Sequence, residues 1–289
     1  MNDRVPTYHP APSKPKLALP AGACDAHVHV FGPERVFPYA PGRPYTPADA
    51  PKETLFALHR KLGIERCVLV QSLAHGFDNR VMADAIAAKG GAYCGIALAP
   101  ATSDVATLRK LDAQGFRGIR FNFFKHLGAG TPIADVIAMT PRLAEIGWHL
   151  QVHFDPGVIG DLGPHLVRSA VPVVIDHMGR VDASLGIGQP DFELLRRLLD
   201  RPSFWVKVSG SDRIAKQGPP YADAIPFART LVETHGDRVV WGTDWPHPNH
   251  THVPDDGLLV DILEQIAPGA QERQALLVDN PQRLYRFAK

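Results

Sequence analysis

The chain has 289 residues, 45% of them hydrophobic and 21% charged, with 31 basic side chains against 30 acidic ones. That composition excludes a disordered, collagen-like or low-complexity protein. The near-neutral balance lacks the basic footprint of a nucleic-acid binder, and no apolar run approaches the roughly 18–20 residues a membrane helix needs. Neither nucleic acid nor membrane is therefore an expected partner; small molecules are.

Residues 1–20 are rich in proline and lack the apolar core of a signal peptide. They read as an irregular arm, lying on the domain surface or across a neighbouring subunit of a homo-oligomer. Cys24, Cys67 and Cys94 are dispersed and never form a CxxC pair, which argues against a disulfide framework and for a reducing cytoplasm.

From there, eight β-rich segments follow in order: 24–31, 66–71, 93–99, 118–124, 149–154, 171–178, 204–210 and 238–245. Amphipathic stretches lie between them, such as 52–63, 104–115 and 192–200, with apolar residues three and four apart. Strands alternating with helices imply parallel pairing and right-handed crossovers. The expectation is an α/β protein, a (β/α)₈ TIM barrel spanning 21–289 as one domain. An open doubly wound sheet is the alternative, without a GxGxxG after the first strand to support it.

In such a barrel the chemistry sits at the C-terminal ends of the strands. The first strand carries His27 and His29, which alternation puts on one face about 6.6 Å apart, a spacing suited to metal ligands. The fifth supplies His153, the sixth Asp176 and His177, and the eighth Asp244. Each alone reads as well as a hydrogen-bonded structural residue. Their conjunction at strands one, five, six and eight is what points to a site.

With DAHVHVFGP (25–33), VQSLAHGFDN (70–79), FRGIRFNFFK (116–125), VVIDHMGR (173–180) and VVWGTDWPHPN (239–249) in view, the chain resembles the amidohydrolase superfamily. Within it, the likeness is to the branch of lactonases acting on pyrone dicarboxylates and sulfomuconolactones. The resemblance implies a cytoplasmic hydrolase from aromatic-compound catabolism that opens the ester bond of an acidic lactone. It implies a divalent metal, zinc by preference, held by His27, His29, His153 and Asp244. Asp244 would also activate water, and His177 would steady the oxyanion. Arg120 and Arg213 would clamp the substrate's acid group, with His126 and His75 near the same rim and Lys125 beside them.

His153 stands where a branch member regarded as metal-free has tyrosine, and His126 stands where that member has an arginine. Leu73 and Phe77 replace its hydroxyl residues after strand two. These departures favour a muconolactone-type acid over the pyrone dicarboxylate. His247, His250 and His252 read as lid-loop residues. The same polar groups also serve a metal-free lactonase or a metal-dependent decarboxylase; a non-catalytic binding barrel would be expected to lack one or more of them.

Overall fold

The computed structural model describes residues 6–124, 130–250 and 252–287. Eight parallel strands form one sheet in sequence order: β1 Cys24–Val28, β2 Arg66–Val70, β3 Tyr93–Ala97, β4 Phe116–Phe123, β5 His149–Phe154, β6 Val173–Ile175, β7 Phe204–Lys207 and β8 Val239–Val240. Backbone bonds bridge the seam between the last strand and the first: Ala26 donates to the carbonyl of Trp241 at 2.8 Å, and Asp244 to that of His27 at 2.8 Å. The result is the (β/α)₈ barrel. At Gly242 the two segments come so close that a Cβ would lie 2.5 Å from His27 N, so only glycine fits there.

The helices follow their periodicity. Helix α1 (Lys52–Leu62) buries Leu55, Leu58, His59 and Leu62 and stops at Gly63, whose φ of 79° lets its N–H reach the carbonyl of His59. After α2 (Arg80–Ala87), α3 (Val105–Ala113) starts where Asp104 accepts from the N–H of Thr107. The others on the path to the site are α4 (Ile133–Ala144), α5 (Ile159–Leu166), α6 (Pro190–Leu199), α7 (Ser211–Ile214) and α8 (Ile225–His235). Among the described residues no helix is long and apolar enough to cross a membrane.

Inside the barrel, Ala26, Val68, Ile96, Val174 and Val240 form an apolar layer that Tyr285 and Phe287 join. Nearer the mouth the interior turns polar: Arg120, Gln151, Asp176 and Lys207 are all buried. The described part of the arm hydrogen-bonds to the segment after β8. Ser13 donates to the carboxylate of Asp255, and the N–H groups of Lys16 and Leu17 donate to Asp261. All three cysteines are buried thiols.

The sixth and eighth strands are much shorter than their sequence patterns suggest. After Ile175 the chain enters the left-handed region, with φ of 49° at His177 and 53° at Arg180; beyond β8, Asp244 has φ 66°. Residues other than glycine at such angles cost of order 1–3 kcal/mol each and gather where side chains must be aimed. Here they aim the end of the sixth and eighth segments into the barrel mouth.

Candidate active site

A cavity of about 350 Å³ opens at the C-terminal ends of the strands, with His29, His153, His177 and Asp244 in its lining. The first strand reaches it through an irregularity. Cys24 and Ala26 belong to the inner apolar layer, so strict alternation would turn His27 outward. The register against β2 shifts between Asp25 and Val28, and His27 faces inward, its Nδ1 3.3 Å from Asp176 Oδ1.

A hydrogen-bond partner fixes the tautomer of His29. His29 Nδ1 lies 2.7 Å from the carbonyl oxygen of Val70, which can only accept, so Nδ1 carries the proton. His27 Nδ1 lies between two opposite partners, 3.3 Å from Asp176 Oδ1 and 3.3 Å from Lys207 Nζ, so its contacts allow either tautomer. The His29 Nε2 lone pair is left pointing at Asp244 Oδ1 from 3.3 Å, and His27 Nε2 lies 3.7 Å from the same oxygen. His177, whose Nδ1 meets Ser209 Oγ at 2.9 Å, puts its Nε2 3.8 Å from Asp244 Oδ2. Three imidazole nitrogens thus surround one carboxylate. Buried His27 Nε2 and Asp244 Oδ1 have no hydrogen-bond partner.

The charge states suit a cation. Burial, reinforced by the Lys207 charge, holds His27 down to about 3, so it is neutral at pH 7. Burial also keeps His177 well below the ordinary imidazole range. For Asp244, burial would raise the carboxyl, but Arg213 and His177 outweigh it and hold it well below the usual range. Asp176 behaves the same way: burial opposes ionisation, and His27, Arg120 and Lys207 overcome it. Neutral imidazoles around an ionised carboxylate are the protonation states metal binding requires. Donor atoms of His27, His177 and Asp244 all lie within 4.8 Å of one another.

His153 is arranged differently from the expected ligand. Arg120 spans two partners, Asp176 through Nε at 2.9 Å and His153 Nδ1 through a terminal nitrogen. A guanidinium can only donate, so neutral His153 carries its proton on Nε2, which is buried and unpartnered. Burial and Arg120 together keep the ring well below the ordinary range. A nitrogen bearing a proton donates a hydrogen bond; it does not ligate. Of the group expected from sequence, His27 and Asp244 lie together with His177, and His29 beside them, while His153 is turned toward Arg120.

Other expectations need correction too. His75 is buried away from the cavity: its Nδ1 meets the carbonyl of Pro38 at 3.1 Å, and its Nε2 accepts from Gly32 N at 3.4 Å. It braces the loop after β1 and is not among the residues lining the cavity. His126 and Lys125 lie outside the described residues. Phe77 is 61% exposed and lines a neighbouring cleft, whereas Leu73 does border the cavity. His247 is fully buried, so it is no lid residue.

Arg120 and Arg213 line the cavity but are already engaged. Arg213 donates through Nε to Asp244 Oδ2 and through a terminal nitrogen to the carbonyl of Pro248 at 3.1 Å. Sequence reading passed over Arg180. It also borders the cavity, with its guanidinium 5.9 Å from the Phe124 ring, and no carboxylate or carbonyl among the described residues takes its hydrogen bonds. Lys207 was missed as well. Fully buried beneath His27, it donates to the carbonyl of Ala26 at 2.9 Å and lies 3.6 Å from Asp176 Oδ1. Burial brings its ammonium down to about 8. Tyr45 and Ser72 add paired hydroxyls 2.6 Å apart on the same wall as Leu73.

A profile of the amidohydrolase family matches residues 24–287. The chain belongs to the amidohydrolase family. The 2-pyrone-4,6-dicarboxylate hydrolase of Comamonas testosteroni is 46% identical over 288 residues, covering 96% of this chain and 94% of that protein. The 4-sulfomuconolactone hydrolase of Rhizobium radiobacter is 41% identical over 273 residues, covering 93% and 91%. An Agrobacterium tumefaciens protein, solved in its apo form, superposes with a TM-score of 0.85 at 30% identity, covering 95% of this chain and 99% of that one.

Proposed function

We propose that this amidohydrolase opens the ester bond of an acidic lactone from aromatic-compound catabolism by adding one water. The observation that carries the proposal is the Asp244 carboxylate ringed by three imidazoles in a cavity that also holds a guanidinium, Arg180, to which no carboxylate among the described residues is hydrogen-bonded. The names of the relatives, both hydrolases of cyclic acids, support the reaction class.

In this reading Asp244 accepts a proton as water attacks the lactone carbonyl carbon. The His153 Nε2–H, fixed by Arg120, donates to the carbonyl oxygen as negative charge develops there. When the ring C–O bond breaks, the proton on Asp244 passes to the departing ring oxygen. Arg180 pairs with the acid group and so sets the ring's orientation. His27, His177 and Asp244, with His29 beside them, would hold a divalent ion, and nitrogen with carboxylate donors suits zinc. Bound there, the ion supplies positive charge that polarises the carbonyl and makes water more acidic.

Tyr45 and Ser72 put hydroxyls on the wall where Leu73 and Phe77 had suggested none. A second acid group would find hydrogen-bond partners there, and both lactone types belong in the test. Purified protein is incubated with the pyrone dicarboxylate, a sulfomuconolactone and a neutral lactone of similar size. Ring opening of an acidic lactone, with addition of one water by mass, supports the proposal. Release of carbon dioxide, or no turnover of either acid, overturns it.

A further inference from the structure

A second histidine–carboxylate cluster lies outside the catalytic arrangement. Asp212, on α7 after β7, is buried, and both of its carboxylate oxygens lack a hydrogen-bond donor. Two histidines from the loop after β8 face it. His250 Nε2 lies 2.7 Å from Asp212 Oδ2 but out of line for a hydrogen bond, and His247 Nδ1 lies 3.8 Å from the same oxygen. These three donor atoms all fall within 4.8 Å of one another.

The tautomer argument applies here as well. His247 Nε2 is 3.0 Å from Asp256 Oδ1. With the neutral ring's proton on Nε2, the Nδ1 lone pair is free for a cation beside Asp212; in the doubly protonated ring the Nδ1–H would face Asp212 Oδ2 from 3.8 Å, too far for a hydrogen bond. A carboxylate bonded to the far nitrogen of a histidine is the usual outer support of a metal ligand. Reading the cluster as two ion pairs, His247 with Asp256 and His250 with Asp212, leaves Asp212 Oδ1 and His247 Nδ1 buried without partners. A cation satisfies all of them together.

We infer that Asp212, His247 and His250 form a second divalent-metal site, distinct from the catalytic cluster and suited to zinc by its two nitrogens and one carboxylate. Asp212 and His250 border a cavity that also touches Lys216 and Gly218, which gives the ion an entry path and room for a water as fourth ligand. The ion's role is to tie the loops after β7 and β8 together. Asp212 precedes Arg213, which holds Asp244, and His247 is followed at Asn249 by a residue lining the catalytic cavity. The metal thus fixes the frame from which Asp244 is presented.

The test uses the full-length chain, stripped with chelator, dialysed against zinc and assayed for metal content as the wild type, His250→Gln and His27→Asn. The site predicts that His250→Gln binds one ion per chain fewer than wild type, and that His27→Asn still binds at least one. Wild-type content in His250→Gln, or no bound ion in wild type, overturns the inference. Should His250→Gln fail to fold, crystals of the wild type grown with zinc decide the matter by anomalous scattering at the zinc edge. A peak bounded by Asp212, His247 and His250 supports the site, and its absence there overturns it.

Discussion

Arg120 reaches His153 and Asp176 at once, and its contact with His153 Nδ1 decides which face of that imidazole carries a proton. Ligation and hydrogen-bond donation by His153 therefore exclude one another. His153→Ala is expected to keep the wild-type content of catalytic metal while turnover falls roughly 10²-fold or more, the range for losing one oxyanion donor. His177→Ala should lose both. Elemental analysis beside kcat on each variant checks this, and metal loss in His153→Ala would restore it to the ligand set.

Asp244→Asn keeps the shape of the side chain and removes the base. Turnover should fall by roughly 10² to 10⁴ with KM nearly unchanged. Because Asp244 also belongs to the metal group, the ion content of the same sample must be measured. A variant that keeps its ion and more than a tenth of its activity would move the base elsewhere.

Arg180→Met should raise KM for acidic lactones about 10- to 100-fold, the equivalent of one charge-assisted hydrogen bond at about 1.5–3 kcal/mol. Its kcat should change little, and a neutral lactone should be indifferent to the substitution. Arg120→Met should differ in kind, lowering kcat, since both His153 and Asp176 lose a partner. Equal effects of Arg180→Met on acidic and neutral substrates would remove Arg180 from recognition.

His149 supplies a pH-dependent term away from the chemistry. Burial, then the charges of Lys207 and Arg286, bring it to about 3 from an ordinary value of 6.5. Below pH 6.5 the unfolded chain takes up a proton that the folded chain refuses until about 3, so stability falls as the pH drops through that window, by up to ~1.4 kcal/mol per unit. Urea unfolding at pH 7 and 4.5 should show wild type losing more stability than His149→Met. Identical pH dependence would contradict the assignment.

The barrel was legible because eight β-rich runs end in polar residues and alternate with 3.6-residue periodicity. The strand order was legible too, and the structure brings together His27, His29, His177 and Asp244 from three of those strand ends. What stayed hidden is what depends on contacts across strands. Arg120 looked like an anion clamp because its partners lie 33 and 56 residues away. His75 looked like a rim residue because nothing local says that Phe31 and Tyr39 flank its ring. The irregularity in β1 and the left-handed angles at His177 and Asp244 leave no pattern a period can detect. Arg180, one residue beyond a glycine in VVIDHMGR, could have been found by counting it with the other polar residues that follow the sixth strand.

The seam between β8 and β1 has a consequence for how such a barrel can diversify. The backbone that closes the cylinder, at Trp241 and Asp244, is the backbone that presents the carboxylate. A substitution there alters architecture and chemistry in a single step, and few variants survive both demands. Tyr45, Leu73 and Arg180 stand on loops after β1, β2 and β6 that share none of the closing bonds. New substrate preferences can accumulate on those loops one residue at a time while the reaction itself stays put.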